Sequence, residues 1–491
     1  MPRCFAAAVD VGTSRVKLVA YGEDFSVTGF ASERSPLRLS GEAAVQDAAQ
    51  LAEIFRSFVR RASEWGCSAV GVSVYRGSMV AWDAGGRPIS DVITWLDRRS
   101  LRVYEELPAA AKLASHLPVL GAIFRPGSPA LAARMLLSSP EVRRAVDSGG
   151  FLWSLDSFLA YTLTGRFVAD VSQATLTGLI SPYTLKPLGL AIRLLGLAGL
   201  RFPELIGHGE PVAQLDSVSV GPFIADQQAA AVGLGCLDSS CLKVTMGTGV
   251  FIDKPVSRKP PLLLRNGLIP VVLASVDGSI LYGVEGFASG VGLVFEAVAE
   301  LFGGFERLEE EARSGSAAPA LVVPVPAGLR TPYRPRLQGA VLGISPGTGP
   351  SSLAGGLVAG TALLVRHMYG MVARAAGRPS RVRLGGGLSR LRVLVEWVAE
   401  ALGEPVERSL DPNDSARGAA LLAAHAAGLI SRRELYNPPV GLERVEPRGT
   451  GVDPEVEEAW RKLIDVLGSA SFSRRLARIL EWSSRSRPSR R

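Results

Sequence analysis

The sequence predicts an α/β protein with two related domains that face each other across a cleft. Residues 5 to 24, "FAAAVDVGTSRVKLVAYGED", have the pattern strand, glycine turn, strand, and "KVTMGTGVFIDKPV" repeats this pattern from Lys243. Self-similarity over a domain's length indicates a duplicated core. The chain has 491 residues, 47% of them apolar, so it can bury more than one core.

The first half continues with elements of both kinds. "FSVTGFASER" predicts a third strand, residues 43 to 64 have the 3.6-residue apolar period of an amphipathic helix, and "SAVGVSV" and "GSMVAWD" predict two more strands. Residues 100 to 220 predict mainly helices and loops, which indicates an insertion on the first core.

The later part of the second half is predicted to contain a strand followed by two helices. "RVRLGGGL", residues 381 to 388, predicts a strand that runs into a triple-glycine turn. Apolar periodicity then predicts helices over residues 391 to 402 and 415 to 429.

Composition favours a folded protein of the cytoplasm. Apolar stretches such as residues 188 to 200 are interrupted by charge, and no signal-peptide core precedes Asp10, so we expect no membrane partner. The four cysteines are scattered and are expected to be reduced. Much of the net charge of +8 lies in the C-terminal tail, which predicts a solvated tail and no nucleic-acid partner.

The first glycine turn carries the groups of a phosphate-binding loop. Asp10, Gly12, Thr13, Ser14 and Lys17 combine converging backbone N–H groups with hydroxyls and an ammonium group. An ordinary hairpin turn also favours Asp and Gly, so the local sequence leaves both interpretations open.

The second turn strengthens the phosphate hypothesis. Gly247, Thr248 and Gly249 would face the first turn, and two such turns could hold a polyphosphate from both sides. Asp10 would then hold Mg²⁺ beside the phosphates, through water.

Asp226 is the candidate general base. It precedes an alanine-rich helix in "ADQQAAAVGLG", where an aspartate could cap the helix, accept a proton, or do both. Arg76 follows a predicted strand, and Trp95 lies beside Asp97 and Arg98 in "ITWLDRRS". These side chains could bind a polyhydroxylated substrate, or they could be a strand-end arginine and a surface ion pair.

The order of these segments resembles that of the FGGY carbohydrate kinases, the family of glycerol kinase and xylulokinase. The matching segments are "VDVGTSRVK", "GVSVYRGSMVAWD", "ITWLDRRS", "IADQQAAAVG", "MGTGVF", "YGVEGFASGVG", "PAGLRTPYRPRLQGAVLGI", "LGGGL" and "ARGAALLAA". The family is related in fold to actin and hexokinase. The resemblance therefore implies two actin-like (ribonuclease H-like) domains that flank an ATP and substrate cleft.

The same resemblance implies a domain division and an oligomer. An N-terminal actin-like domain with a sugar-binding insertion is expected over residues 1–237, and a nucleotide-binding actin-like domain over residues 238–445. A helical basic tail is expected over residues 446–491. Many members are dimers or tetramers, and a homodimer is the oligomer expected here.

Residue by residue, the resemblance implies an ATP site, a metal ligand and a base. Asp226 matches the catalytic base and Gln227 its substrate-contacting neighbour, with Arg76 and Trp95 also on the substrate side. The residues that match the ATP and Mg²⁺ side are Asp10, Gly12, Thr13, Ser14, Lys17, Gly247, Thr248, Gly292, Gly386 and Gly387, with Asp10 as the metal ligand.

The predicted function is an ATP- and Mg²⁺-dependent kinase that phosphorylates a terminal hydroxyl of a small polyol or ketose. The pattern is closest to glycerol kinase, but Gly77 stands where that enzyme has a glutamate. The alternatives are a pentulose kinase for xylulose or ribulose, and a non-catalytic sugar- or nucleotide-binding sensor with the same fold. A third alternative is an actin- or chaperone-like ATPase that does no chemistry on a sugar.

Overall fold

The N-terminal half is built on a six-stranded mixed sheet. A computed structural model describes residues 4–114, 127–215, 217–261, 266–315, 319–326 and 328–485. The strands of this sheet are β1 (Ala6–Val11), β2 (Arg15–Tyr21), β3 (Val27–Arg34), β6 (Ala69–Val74), β12 (Ala213–Leu215) and β13 (Val218–Ala225). Their order is β12-β13-β6-β1-β2-β3, in which β1, β6 and β13 are parallel and β2 and β3 antiparallel to their neighbours.

The C-terminal half repeats this arrangement in a seven-stranded sheet. Its strands are β14 (Cys241–Met246), β15 (Val250–Val256), β16 (Ile269–Val276), β17 (Ser279–Ala288), β20 (Arg381–Gly385), β21 (Val406–Ser409) and β22 (Leu442–Val445). The order is β16-β17-β15-β14-β20-β21-β22. As in the first sheet, an antiparallel hairpin is followed by two strands that join in parallel, β20 on β14 and β21 on β20. The two predicted hairpins therefore occupy equivalent places.

Shorter strands and many helices surround the two sheets. The other strands are β4 (Leu37–Ser40), β5 (Ala43–Gln46), β7 (Val80–Trp82), β8 (Val92–Ile93), β9 (Phe151–Trp153), β10 (Val168–Asp170), β11 (Glu204–Ile206), β18 (Leu321–Val323) and β19 (Ala340–Leu342). The helices before the second sheet are α1 (Ala48–Glu64), α2 (Ser100–Glu105), α3 (Ala109–Ala114), α4 (Pro129–Leu137), α5 (Pro140–Asp147), α6 (Leu155–Thr164), α7 (Val171–Leu176), α8 (Gly189–Leu194) and α9 (Asp226–Gly233). The later helices are α10 (Val291–Phe302), α11 (Phe305–Ser314), α12 (Pro350–Ala376), a 3₁₀ turn (Gly387–Arg390), α13 (Arg392–Leu402), α14 (Asp414–Ala426), α15 (Arg432–Tyr436), α16 (Pro454–Leu467) and α17 (Ala470–Arg485).

The helix predicted over residues 43 to 64 begins later than its apolar pattern suggests. Residues 43 to 46 form β5, which pairs with β4, and α1 begins at Ala48. Asp47 is the N-cap, because its side chain accepts a hydrogen bond from the Gln50 N–H at 3.0 Å. A strand with alternate buried residues and the first turn of a helix look alike over four positions.

Helix α14 lies in the C-terminal half of the chain but packs on the N-terminal sheet. Its apolar side chains form one buried cluster with Ala6, Ala8 and Val19 of β1 and β2 and with residues of α9. The approach is close: a Cβ on Gly418 of α14 would lie 1.8 Å from the Ala229 carbonyl oxygen, and one on Gly71 of β6 would lie 2.0 Å from that of Ala419. Glycines at these contacts let the backbone of α14 lie close to the backbones of α9 and β6, and the helix thereby joins the two halves of the chain.

The cysteines are paired, so the expectation of reduced thiols is wrong. Cys4 is bonded to Cys67, which ties the segment before β1 to the segment before β6. Cys236 is bonded to Cys241 across the connection between α9 and β14. The sequence spacing of these residues differs between the pairs, 63 and 5 positions, and gave no indication of which cysteines meet in space.

One described helix, α12, is long and apolar enough to cross a membrane by length and composition alone. However, 78% of its most apolar window is buried inside the protein, as in a core helix. Leu357, Val365 and Met368 of this helix belong to the main cluster of the C-terminal half.

The end of the chain is helical as far as the structure describes it. Trp460, Ile464 and Leu467 of α16 are buried in the C-terminal cluster, and α17 follows. The last six residues of the predicted basic tail, 486–491, lie outside the described residues.

Candidate active site

Three parallel strands of the N-terminal sheet end at the same edge, and each delivers a predicted site residue there. Val11 of β1 pairs with Val74 of β6, and Val74 pairs with Ala225 of β13. The Gly12 turn directly follows Val11, Asp226 directly follows Ala225, and Arg76 lies two residues after Val74. Carboxyl ends of parallel strands are the usual position of binding sites in α/β proteins.

The first glycine turn is tight and open to solvent. The Gly12 N–H donates to the Arg15 carbonyl at 2.9 Å, and a Cβ at Gly12 would lie only 2.7 Å from that oxygen. On the adjacent strands, Asp10 and Lys17 are register partners, with 3.8 Å between the Lys17 Nζ and the Asp10 Oδ2. Ser14 is exposed, so its hydroxyl is accessible to a ligand.

Trp95 contacts this turn through a hydrogen bond to Thr13, and it also lies next to Gly77. Its indole Nε1–H donates to the Thr13 hydroxyl at 2.9 Å, while the Thr13 carbonyl accepts from the Gln46 amide at 2.8 Å. Gly77 has a φ of +78°, and a Cβ there would lie 3.0 Å from the Trp95 Cβ. A larger residue at position 77 would therefore be strained.

The second glycine turn meets the start of α10. The Gly247 N–H donates to the Gly249 carbonyl at 2.9 Å, and the Gly292 N–H donates to the Thr248 carbonyl at 3.1 Å. Nothing lies within 4 Å of a Cβ placed on Gly247, so that face of the turn is open. A Cβ on Gly292 would lie 2.3 Å from the Gly247 oxygen, which requires glycine at this contact.

The triple-glycine turn lies next to the second turn. β20 runs parallel to β14, and Gly385 pairs with Thr245. Gly386 has a φ of +86°, and its N–H donates to the Asp414 carboxylate at the start of α14 at 3.0 Å. A Cβ placed on Gly387 would have no atom within 4 Å, so a flat ligand could approach the backbone there.

Asp226 does not cap α9, which was one of the interpretations that the sequence left open; it is the first residue of that helix. The N-cap is Ala225, and the Asp226 Oδ1 accepts from the Gln227 N–H at 2.9 Å. The Arg76 Nε lies 3.6 Å from the same oxygen. Burial raises the pKa of Asp226, Arg76 lowers it and the nearby Asp10 raises it again. The net upward shift of this pKa makes Asp226 a stronger base than an exposed aspartate.

Arg76 is held by residues that no sequence motif indicated. Its Nη1 donates to the buried Glu285 of β17 at 2.6 Å, and its guanidinium lies 5.1 Å from the centre of the Phe251 ring on β15. Phe251 is stacked on Phe287, its cross-strand partner, with 5.4 Å between ring centres. A charged residue in the apolar strand "SILYGVEGFA" was the only local signal for Glu285.

The carboxylates of the candidate site suit a Mg²⁺ ion whose other ligands would be phosphate and water oxygens. Within the described residues there is no group of three or more His, Cys, Asp and Glu side chains that could hold a metal ion. Asp10 and Asp226 are close enough for Asp10 to raise the pKa of Asp226. Mg²⁺ commonly uses one or two carboxylates together with water and substrate phosphates, so this oxygen donor set suits it.

We expect Gly292→Ala to weaken ATP use. The added Cβ would force the second turn and α10 apart by about 1 Å, and a displacement of that size can lower kcat/KM about 100-fold. Steady-state kinetics with ATP varied will measure this change. Gly189→Ala, which places a Cβ in open space on α8, is the control. Wild-type kcat/KM for ATP in the Gly292 variant would show that the contact does not shape the nucleotide site.

Sequence comparisons match most of the chain to one family. Residues 5–232 match the model of the N-terminal domain of the FGGY family of carbohydrate kinases, and residues 242–427 match that of its C-terminal domain. The chain is 26% identical over 497 residues to a glycerol kinase of Xanthobacter autotrophicus, an alignment that covers 94% of this chain and 99% of the relative.

Solved structures share the fold. A Plasmodium falciparum glycerol kinase with ADP aligns with a TM-score of 0.79 and 18% identity, covering 94% of this chain and 97% of that one. A ligand-bound xylulose kinase of Lactobacillus acidophilus aligns with a TM-score of 0.77 and 16% identity, covering 94% and 96%. These likenesses confirm the predicted α/β fold with two actin-like domains.

Proposed function

The chain belongs to the FGGY family of carbohydrate kinases, and we propose that it transfers the γ-phosphoryl group of ATP to a terminal hydroxyl of a small polyol, with glycerol as the first candidate. Family membership makes it a phosphotransferase, which disfavours the non-catalytic sensor. The substrate, the site residues and the metal ion are the proposed parts.

The arrangement around Asp226 carries the proposal. A part-buried carboxylate lies at the carboxyl edge of the N-terminal sheet with Arg76 at 3.6 Å and with the Asp10 carboxylate near enough to affect its pKa. A base of raised pKa beside a phosphate-binding turn is what transfer to a hydroxyl requires.

The reaction follows from these positions. Asp226 accepts the proton of the substrate hydroxyl as the hydroxyl oxygen bonds to the γ-phosphorus, and the bond from that phosphorus to the bridging oxygen breaks to leave ADP. Arg76 and Gln227 donate hydrogen bonds to the substrate's other oxygens, and the ring of Trp95 lies against its carbon chain. Closing the two halves over both substrates would exclude water as a competing acceptor.

ATP would be bound between the two glycine turns. The backbone N–H groups of the turns, the Thr13, Ser14 and Thr248 hydroxyls and Lys17 would contact the phosphates, and Gly386 and Gly387 would lie along the adenosine. Asp10 would hold Mg²⁺, which supplies charge neutralisation to the phosphates.

Gly77 keeps pentuloses open as substrates. Because residue 77 is a glycine, no carboxylate extends from the position where glycerol kinase has a glutamate, so the site lacks that particular contact to a short polyol. Xylulose and ribulose are therefore the second candidates. The cytoplasmic location and the homodimer stay predictions.

A substrate panel tests the proposal. Purified protein with ATP and Mg²⁺ should release ADP with glycerol, xylulose or ribulose and not without an acceptor. ADP release at the same rate without any acceptor would instead indicate an ATPase. Absence of ADP release with every polyol and ketose offered would contradict the proposal. Comparison of kcat/KM among the three acceptors will separate the first and second candidates.

A further inference from the structure

A row of buried charged side chains crosses the C-terminal sheet beside the site. Lys243 of β14, Asp253 of β15 and Glu285 of β17 are successive cross-strand partners, so their side chains lie on one face of the sheet. All three residues are completely buried, with 0% exposure. Buried charges are costly unless they are paired, so the partners of each group decide what the row does.

Both ends of the row reach the N-terminal half at residues that flank Asp226. At one end, the Lys243 Nζ donates to the Gln227 side-chain and backbone oxygens, each at 3.0 Å, and to the Asp253 Oδ2 at 2.5 Å. At the other end, the Glu285 Oε2 accepts from Arg76 at 2.6 Å.

In the middle of the row, two carboxyl oxygens have no hydrogen-bond donor among the described residues. The Asp253 Oδ1 and the Glu285 Oε1 are buried, and neither accepts a hydrogen bond from any group in the described part of the chain. They belong to side chains that are directly opposite each other on paired strands. One proton between the two carboxyl groups would satisfy both oxygens, whereas two facing carboxylates would repel each other.

The charges of the surroundings agree with one such proton. The cations are Arg76 and Lys243, and the carboxyl groups are Asp226, Asp253 and Glu285, so two cations face three acidic groups. A single proton on the Asp253 and Glu285 pair balances them while Asp226 stays ionised. The pKa of Glu285 is raised to about 7, because burial raises it, the charge of Arg76 lowers it, and the charge of Asp253 raises it again.

We propose that this row is a positioning device for the substrate side of the site: Asp253 and Glu285 hold one proton between them, and the row fixes Arg76 and Gln227 beside Asp226. The inference rests on the proposed function, because it assigns a role toward the polyol and none toward ATP.

The physical reason is that Arg76 has two carboxylate partners. It is shared between Glu285 at 2.6 Å and Asp226 at 3.6 Å, and it lies over the Phe251 ring. If Glu285 loses its charge or its orientation, the Arg76 guanidinium is attracted to the Asp226 carboxylate. It would then pair with the base and no longer donate hydrogen bonds to the polyol oxygens. Gln227 depends in the same way on Lys243, which needs Asp253 as its buried counter-ion.

Kinetics of two Asp253 variants test the positioning role. Asp253→Leu removes the partner of Lys243 and of Glu285, and we expect it to lower kcat/KM for the polyol about 100-fold while the KM for ATP stays unchanged. Asp253→Asn can accept from Lys243 and donate to Glu285, so we expect it to recover activity to within about tenfold of wild type. Wild-type polyol kinetics in Asp253→Leu would overturn the positioning role, and an asparagine variant as damaged as the leucine variant would overturn the shared proton.

Glu285→Gln keeps the shape of the row if Asp253→Leu does not fold. Its amide can accept from Arg76 and donate to Asp253, but Arg76 loses its ionic partner. We expect kcat/KM for the polyol to fall about tenfold with the KM for ATP unchanged. The positioning role would be overturned if kcat/KM for the polyol equalled that of wild type. It would also be overturned if kcat/KM fell equally for ATP and for the polyol.

Infrared spectroscopy tests the shared proton without any assay of activity. At pH 7 the wild-type protein should show a carbonyl band of a protonated carboxyl group that is lost in both Asp253→Asn and Glu285→Gln. Asp238→Asn is the control, because serine hydrogen bonds and Arg381 hold the pKa of Asp238 low despite partial burial and the group is ionised. If the band is unchanged in both row variants, the shared proton is wrong. If wild type phosphorylates no polyol but the band behaves as expected, the proposed function fails and the shared proton stands.

Discussion

Asp226→Asn is expected to lower kcat for polyol phosphorylation by about 100- to 10,000-fold. The amide cannot accept the proton of the substrate hydroxyl, although it keeps nearly the same size and can still accept from the Gln227 N–H. ATP binding should persist, because the two glycine turns are unchanged. Initial rates with saturating polyol, and ATP binding by calorimetry, will measure the two effects separately.

The pH profile gives this prediction a second readout. Activity should fall as the pH drops through the pKa of Asp226, because the protonated carboxyl group cannot accept a proton. Since burial raises that pKa, the acid limb of kcat/KM should lie above the ordinary aspartate value of about 3.9. Asp24→Asn, which changes an exposed aspartate in a surface turn, is the matched control. Wild-type turnover in Asp226→Asn would show that another group is the base.

Gly418→Ala is expected to destabilise the protein strongly. The new Cβ would lie 1.8 Å from the Ala229 carbonyl oxygen, and backbone of two packed helices cannot yield as a flexible side chain would. Overpacking of this kind costs about 1–3 kcal/mol, and more where the backbone must move. Because α14 also packs on β1 and carries the Asp414 that binds Gly386, we expect polyol and ATP kinetics to worsen together.

Gly355→Ala is the matched control for this substitution. It also replaces a helical glycine, in α12, but its Cβ would have no atom within 4 Å. We expect it to stabilise the protein by about 0.5–1 kcal/mol. Urea unfolding of the two variants and wild type will give the free energies. Equal stability of the Gly418 and Gly355 variants would mean that α9 and α14 separate at little cost.

Much of the fold was predictable because the information is local. The hairpins β1–β2 and β14–β15 each carry a glycine turn between apolar strands, and a turn's backbone conformation depends on the few residues within it. The same locality made the start of α1 uncertain, since residues 43 to 46 fit the first turn of a helix as well as a strand. Pairing of β5 with β4 and with β8 decides between them.

The site was predictable where each residue sits in a motif. Asp226, Arg76 and the glycines of both turns lie at strand ends, and parallel pairing of β1, β6 and β13 brings the first two together. Their proposed roles were predicted from residue type. Their partners were not, because Glu285 is 209 positions from the Arg76 that it binds.

The sequence by itself thus determined two glycine turns, the acid that follows β13 and, by resemblance, the kinase family. Tertiary structure alone decided that all four cysteines pair, that α14 packs on the N-terminal sheet, and that Lys243, Asp253 and Glu285 form one buried row. Turn chemistry is set by neighbours in the chain. Register between strands, burial and the pairing of charges are set by residues far apart in the chain, and they exist only when the sheets have formed.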